Sequence, residues 1–161
     1  MFDKLDNHLN HFNSVGDGKG IALYYKDNYV HVSDICTENY QISKLQSDKY
    51  DILCVYRSSN SIKAKQIDFL SDLRRLIFRG RKTFILGDYN FNALCPKQNY
   101  ILRELENWNF IQLVREPTHI QGGLIDHCYM SDNISSSSVI LSQKSVYYND
   151  HDINELIIKE V

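Results

Sequence analysis

The chain has 161 residues and a formal net charge of −2. That length suits one domain with a substantial core, and the near-neutral charge excludes a global basic field that would hold nucleic acid nonspecifically. No run approaches the roughly 20 apolar residues of a membrane span and segment 1–6 has no apolar signal core, so a soluble intracellular protein, nuclear or cytoplasmic, is expected.

Residues 1–14 are polar and rich in Asn, His and Asp, and segment 1–15 reads as a loop or poorly ordered terminus. The folded domain then covers 16–161. A glycine-rich stretch (Gly16, Gly18, Gly20) precedes a strand at 21–25, the turn Lys26-Asp27-Asn28, and a second strand at 29–32 expected to pair back as a hairpin. Such a glycine loop binds phosphate where it opens a helix, and here a strand follows. Segment 50–56 is apolar on both faces and reads as a central strand of a covered sheet.

Asn60 or Ser61 can cap a helix with the stripe Ala64, Ile67, Leu70, Leu73 and Ile77. Arg74, Arg75, Arg79, Arg81 and Lys82 crowd its end, where cations complement the macrodipole. The strand at 83–86 begins beside this cluster and carries Asp88 roughly 15 Å away at about 3.3 Å per residue, so the cluster reads as structural. A second helix is expected at 99–108, with Ile101, Leu102, Leu105 and Trp108 on its apolar side. Short strands at 111–114 and 124–130, a polar connection at 131–138, and closing strands at 139–147 and 152–160 complete an α/β sandwich. Cys36, Cys54, Cys95 and Cys128 have neither zinc nor disulfide spacing. Cys54 and Cys128 lie among strand apolars and read as small buried hydrophobes of a protein in a reducing compartment.

Three punctuations in this frame carry chemistry: Gly87-Asp88-Tyr89-Asn90, Ile125-Asp126-His127 and Asn149-Asp150-His151-Asp152. Hydrolysis of a phosphodiester needs an oriented water, charge stabilisation on the phosphoryl oxygens and help for the leaving oxygen. Asp88 and Asn90, two apart on one turn, can present a carboxylate and an amide to the same phosphate and water. His151 offers a donor, and Asp126 would fix its tautomer. Asp150 is then a metal ligand or a partner of the bound water.

This ordered set resembles the endonuclease/exonuclease/phosphatase (DNase I-like) superfamily, closest to the endonuclease domains of non-LTR retrotransposons. Gly18-Lys19-Gly20-Ile21-Ala22-Leu23-Tyr24, Val55-Tyr56-Arg57-Ser58-Ser59-Asn60, Glu116-Pro117-Thr118-His119 and Gly122-Gly123-Leu124-Ile125-Asp126 resemble further stretches of that branch. The resemblance implies a DNase I-like four-layer α/β sandwich, with two β-sheets face to face and helices outside. It implies a Mg²⁺-dependent endonuclease, Mn²⁺ being the alternative cation, with DNA as substrate and no membrane partner. Position by position it gives Asp88 the water, Asn90 and Tyr56 the phosphate, Asp126 the support of His151, His151 the developing charge, and Asp88 with Asp150 the metal. The general base stays unassigned between these groups. The superfamily opens with a strand ending in Asn and another ending in a metal-ligating Glu. Upstream of Gly16 no strand-like run carries either, so the chain resembles an N-terminally shortened domain lacking its first strands. A fold-keeping remnant without activity and a phosphatase of the same superfamily are the rival readings.

Overall fold

A computed structural model describes residues 8–15, 19–59, 63–95 and 99–159. Among these, the strands are β1 (Leu9–Ser14), β2 (Gly20–Tyr25), β3 (Val30–Cys36), β4 (Tyr40–Gln46), β5 (Tyr50–Arg57), β6 (Lys82–Asp88), β7 (Phe110–Gln112), β8 (Asp126–Ser131), β9 (Val139–Lys144) and β10 (Ile153–Ile158). The helices are α1 (Lys63–Leu76) and α2 (Tyr100–Asn107). No helix among the described residues is long and apolar enough to cross a membrane.

Six strands form one sheet in the order β3-β4-β5-β6-β8-β7. Its pairs are antiparallel except β5–β6. A parallel pair needs a crossover, and α1 supplies it. The pleat then sorts the side chains. Ile42, Leu53, Val55, Ile85 and Tyr129 face α1 and α2, meeting Phe69, Leu70, Leu73, Ile101, Leu102 and Leu105 in the main core. The opposite face carries two separate ribbons. Ribbon β1–β2 sets Leu23 against Leu45 and Cys54. Ribbon β9–β10 sets Leu141, Leu156 and Ile158 against Phe84, Cys128 and Met130. The mixed α/β class is as expected, with β5 central and covered on both sides. Among the described residues the second sheet is these two ribbons, so the layers are three: helices, sheet, ribbons.

Three local expectations are corrected. Leu9–Ser14, read as loop, is a strand paired with β2 from Leu9↔Tyr25 to Ser14↔Gly20. Consequently β2 does not pair with segment 29–32, and β3 joins the large sheet through β4. Strand β4 itself carried no sequence expectation. On α1, Leu70 and Leu73 are buried as expected, but Phe69 takes the inward position and Ile67 is 53% exposed. The caps at Asn60 and Ser61, and the glycines at 16 and 18, lie outside the described residues. Cys54 and Cys128 are buried, and none of the four cysteines is in a disulfide.

The basic cluster is used structurally. Arg74 lies over Trp108, Arg75 bonds Asp72, and Arg81 pairs with Asp51 at 2.8 Å. Asp51 also holds the buried Lys44 ammonium at 2.7 Å, and Lys44 donates to Leu76 O at the end of α1. This ion pair pins the end of the sheet away from Asp88.

Candidate active site

Asp88 ends β6, with Tyr56 of β5 and Asp126 of β8 beside it in register. Tyr56, Asp88 and Asp126 therefore make one row across three adjacent strands on the ribbon-bearing face. Gly87 permits the close approach of β5, since a Cβ there would lie 1.8 Å from Val55 O at a φ of 141°. The turn that follows is organised by Asp88 itself. Its Oδ1 accepts from Asn90 N at 2.8 Å and its Oδ2 from Asn90 Nδ2 at 3.0 Å. Asn90 adopts a positive φ of 50° and donates its other amide hydrogen to Arg57 O at 2.8 Å. One amide hydrogen and the backbone N–H of Asn90 thus orient Asp88, and the other amide hydrogen ties Asn90 to Arg57.

Asp126 is placed by Thr118, which had entered the sequence reading only as part of a resembling segment. The fully buried Thr118 Oγ1 accepts from Ile125 N at 3.1 Å and Asp126 N at 3.0 Å. Thr118 O then accepts from Asp152 N at 2.8 Å, so one residue joins the lead into β8 to the loop before β10. His127 takes no part in the site. It is stacked on Tyr89 at 4.6 Å, its Nε2 donates to Phe91 O and Leu124 O, its Nδ1 meets the Tyr129 hydroxyl, and burial pushes its pKa down to about 4.

His151 meets Asp126 as expected: Nδ1 to Oδ2 is 2.8 Å. With Nδ1 donating to the carboxylate, Nε2 is the atom left for chemistry. Burial alone would lower the His151 pKa, but the hydrogen bond to Asp126 and the charges of Asp126, Asp88 and Asp150 outweigh it and raise it. Burial raises Asp88, with the like charge of Asp126 in the same sense, against the bond from Asn90 and the imidazoles of His151 and His119. Burial and the Asp88 charge likewise raise the Tyr56 phenol. His119, which no expectation singled out, stacks edge-on to His151 at 5.0 Å and lies 3.5 Å from Asp150. The backbone signals that place it, a bridge to His151 and the bond from Ile120 N to Asp150 O, have no signature in sequence.

Ligand atoms of Asp88, Asp126 and His151 lie within 4.8 Å of one another. Asp150 falls in a second such group with His119 and His151, so the expected metal pair, Asp88 and Asp150, is split between two groups that share His151. Two half-buried carboxylates facing each other suit a divalent cation, which would relieve their mutual repulsion. Asp88 would supply a hard oxygen donor, and Asp150, 63% exposed at its side chain, is open to a coordinated water. A hollow of about 200 Å³ lined by Leu86, Asp126, Asp152 and Asn154 adjoins this point. The larger hollow of about 460 Å³ lies at the opposite end of the sheet among Arg74, Arg79 and Arg81, remote from the carboxylates.

No protein-family model matches the sequence, and no curated protein matches it. The fold does match solved structures. The endonuclease domain of TRAS1, a telomere-specific non-LTR retrotransposon, superposes with a TM-score of 0.74 at 12% identity, over 96% of this chain and 80% of that one. Cytolethal distending toxin from Actinobacillus actinomycetemcomitans gives 0.60 at 13% identity, over 86% of this chain and 62% of the toxin chain. An endonuclease/exonuclease/phosphatase family protein from Bacteroides thetaiotaomicron gives 0.57 at 10% identity, over 97% and 75%. The fold of this chain is DNase I-like.

Proposed function

We propose that the chain is a divalent-cation-dependent phosphodiesterase that nicks DNA, in the manner of a retrotransposon endonuclease. The observation that carries this reading is the Asp126–His151 hydrogen bond of 2.8 Å, set beside Asp88 so that all three groups address one point. Asp126 holds the imidazole with Nδ1–H inward, so His151 presents Nε2 to a phosphoryl oxygen, where a proton stabilises the developing negative charge. Asp88, oriented by the backbone N–H and one side-chain amide hydrogen of Asn90, faces the same point and positions the attacking water. Tyr56 stands next in the row, and its raised pKa keeps the phenol protonated as a donor to the phosphate. Mg²⁺, or Mn²⁺ in its place, would be held by Asp88, with Asp150 reaching it through water, and would neutralise phosphate charge and acidify bound water.

DNA is favoured over a small phosphate ester by what borders the site. Tyr147 and Tyr148, 99% and 72% exposed, precede Asn149, and Ile120, 81% exposed, bonds Asp150 O through its backbone. Exposed aromatic faces beside a phosphate site suit stacking on nucleic-acid bases. Similarity of fold to the endonuclease domain of TRAS1, a telomere-specific non-LTR retrotransposon, supports the retrotransposon type. Purified chain incubated with supercoiled plasmid and Mg²⁺ should yield open circles, and EDTA or Asp88→Ala should abolish them. Intact plasmid with Mg²⁺ and with Mn²⁺ would favour a fold kept without activity. Release of phosphate from monoesters with plasmid left intact would favour a phosphatase.

A further inference from the structure

A second cluster of chemistry-bearing side chains lies outside this site, where ribbon β1–β2 crosses the edge strand β3. His11 Nε2 is 2.5 Å from Asp34 Oδ2, and His31 Nε2 is 3.0 Å from Asp34 Oδ1. The two imidazoles stack at 3.8 Å between centroids with planes 24° apart, so both Nε2 atoms address the same carboxylate. The cluster is three strand spacings from β6, about 14 Å at the usual inter-strand distance. It is therefore separate from Asp88 and Asp126.

Three features of the backbone and its surroundings assemble this cluster. Residues three apart on a regular strand point to opposite faces, so His31 and Asp34 could not share a partner. The register of β3 with β4 slips between His31 and Ser33, and the extra residue, Val32, turns His31 onto the face that Asp34 occupies. The inward face of β1 then delivers His11 from the layer above. Finally, Asp34 is itself held: Ser43 Oγ donates to its Oδ1 at 2.7 Å and Asn13 Nδ2 at 3.4 Å. Asn13 is buried and also donates to Ile35 O and Ile42 O, both at 3.2 Å. An anchored carboxylate with two imidazoles is how metal ligands are commonly oriented. The side chains of His11, His31 and Asp34 keep 25–29% of their exposure, so an ion and its waters can reach them.

We infer that His11, His31 and Asp34 form a Zn²⁺ site that clips ribbon β1–β2 to the edge of the sheet. Two imidazole nitrogens and one carboxylate oxygen are a donor set that zinc accepts with its fourth position left to water, whereas Mg²⁺ prefers oxygen alone. The three ligand atoms already lie within 4.8 Å of one another. Ligands about 2.0–2.1 Å from a tetrahedral centre stand about 3.3 Å apart, so the contacts at His11 and His31 open by less than an ångström. Each ring then transfers its proton from Nε2 to Nδ1, and the neutral imidazoles ligate with no net proton loss.

The test uses the 161-residue chain carrying His151→Gln, because His151 is common to both other such clusters among the described residues. Zn²⁺ titrated calorimetrically into this protein should bind at one site per chain and raise its melting temperature. Adding His31→Gln should weaken that binding by at least the roughly 10–100-fold seen for loss of a mere supporting residue, and adding His8→Gln should not. No saturable binding, or equal binding after His31→Gln, would overturn the proposal. A measurement on the unsubstituted chain guards against misfolded variants. Long-range ¹H–¹⁵N imidazole spectra should show His11 and His31 switching from Nε2–H to Nδ1–H on adding Zn²⁺, and unchanged tautomers at saturating zinc would equally overturn it.

Discussion

Replacing Thr118 with Val removes one oxygen and keeps the shape of the side chain. The residue is fully buried, and Oγ1 accepts from two backbone amides, Ile125 N at 3.1 Å and Asp126 N at 3.0 Å. Valine leaves both partly buried donors without that acceptor. An orphaned buried donor costs about 1–3 kcal/mol, and these two are partly buried, so Thr118→Val should destabilise the fold by about 2 kcal/mol or more. Thr118→Ser is the control, since it keeps the hydroxyl and loses one methyl, about 0.8 kcal/mol. Urea unfolding of the three proteins measures both differences, and the slope of the transition should not change. The same substitution loosens the start of β8, so the His151 ring resonance should move in Thr118→Val and hold in Thr118→Ser. A Thr118→Val protein as stable as Thr118→Ser would refute the assignment of Thr118 as the post that positions Asp126.

Gly87→Ala puts a Cβ 1.8 Å from Val55 O at a φ of 141°. Backbone strain alone is about 1–3 kcal/mol, so melting temperature and nicking should fall together, and a neutral substitution would contradict the close packing of β5 on β6. Asp51→Asn leaves the Lys44 ammonium buried without its counter-charge, a loss of about 3–5 kcal/mol measurable by chemical unfolding, with nicking by the remaining folded protein unchanged. The His151 pKa is raised in the fold, so its contribution to stability is complete below about 6.5, the unfolded value, and is lost as pH rises through the folded value. Asp126→Asn should flatten that part of the melting-temperature profile, and an unchanged profile would show that the pair is not coupled.

The mixed α/β class was legible in the sequence, and so was the convergence of three side chains, whereas the layering was less so. Asp88, Asp126 and His151 sit at strand boundaries, where a carboxylate or imidazole interrupts an apolar run, and the structure brings these three together. Strand β1 was not legible because its inward face is polar. His11 and Asn13 point at Asp34, Ser43 and the carbonyls of Ile35 and Ile42, so no apolar alternation marks the strand. Strand β4 does alternate, but Lys44 faces α1 and is neutralised by Asp51, a partner revealed only by the tertiary fold. The turn at Lys26-Asp27-Asn28 is real, with Tyr29 N donating to Lys26 O at 3.0 Å. It carries the chain from the ribbon layer to the sheet, and turn chemistry alone does not distinguish that from a hairpin. Thr118 escaped notice for a related reason. Its hydroxyl serves amides seven and eight residues ahead, a spacing that belongs to no local capping or turn pattern.

The central claim is that Asp126 acts on phosphodiester cleavage through His151. Plasmid nicking rates of the wild type, Asp126→Asn, His151→Gln and the double variant, at one Mg²⁺ concentration, test it directly. His151→Gln should slow nicking by about 10²–10⁴-fold, and Asp126→Asn should add little once His151 is gone. Independent, multiplying losses from the two substitutions, or no nicking by folded wild-type protein with either Mg²⁺ or Mn²⁺, would contradict it.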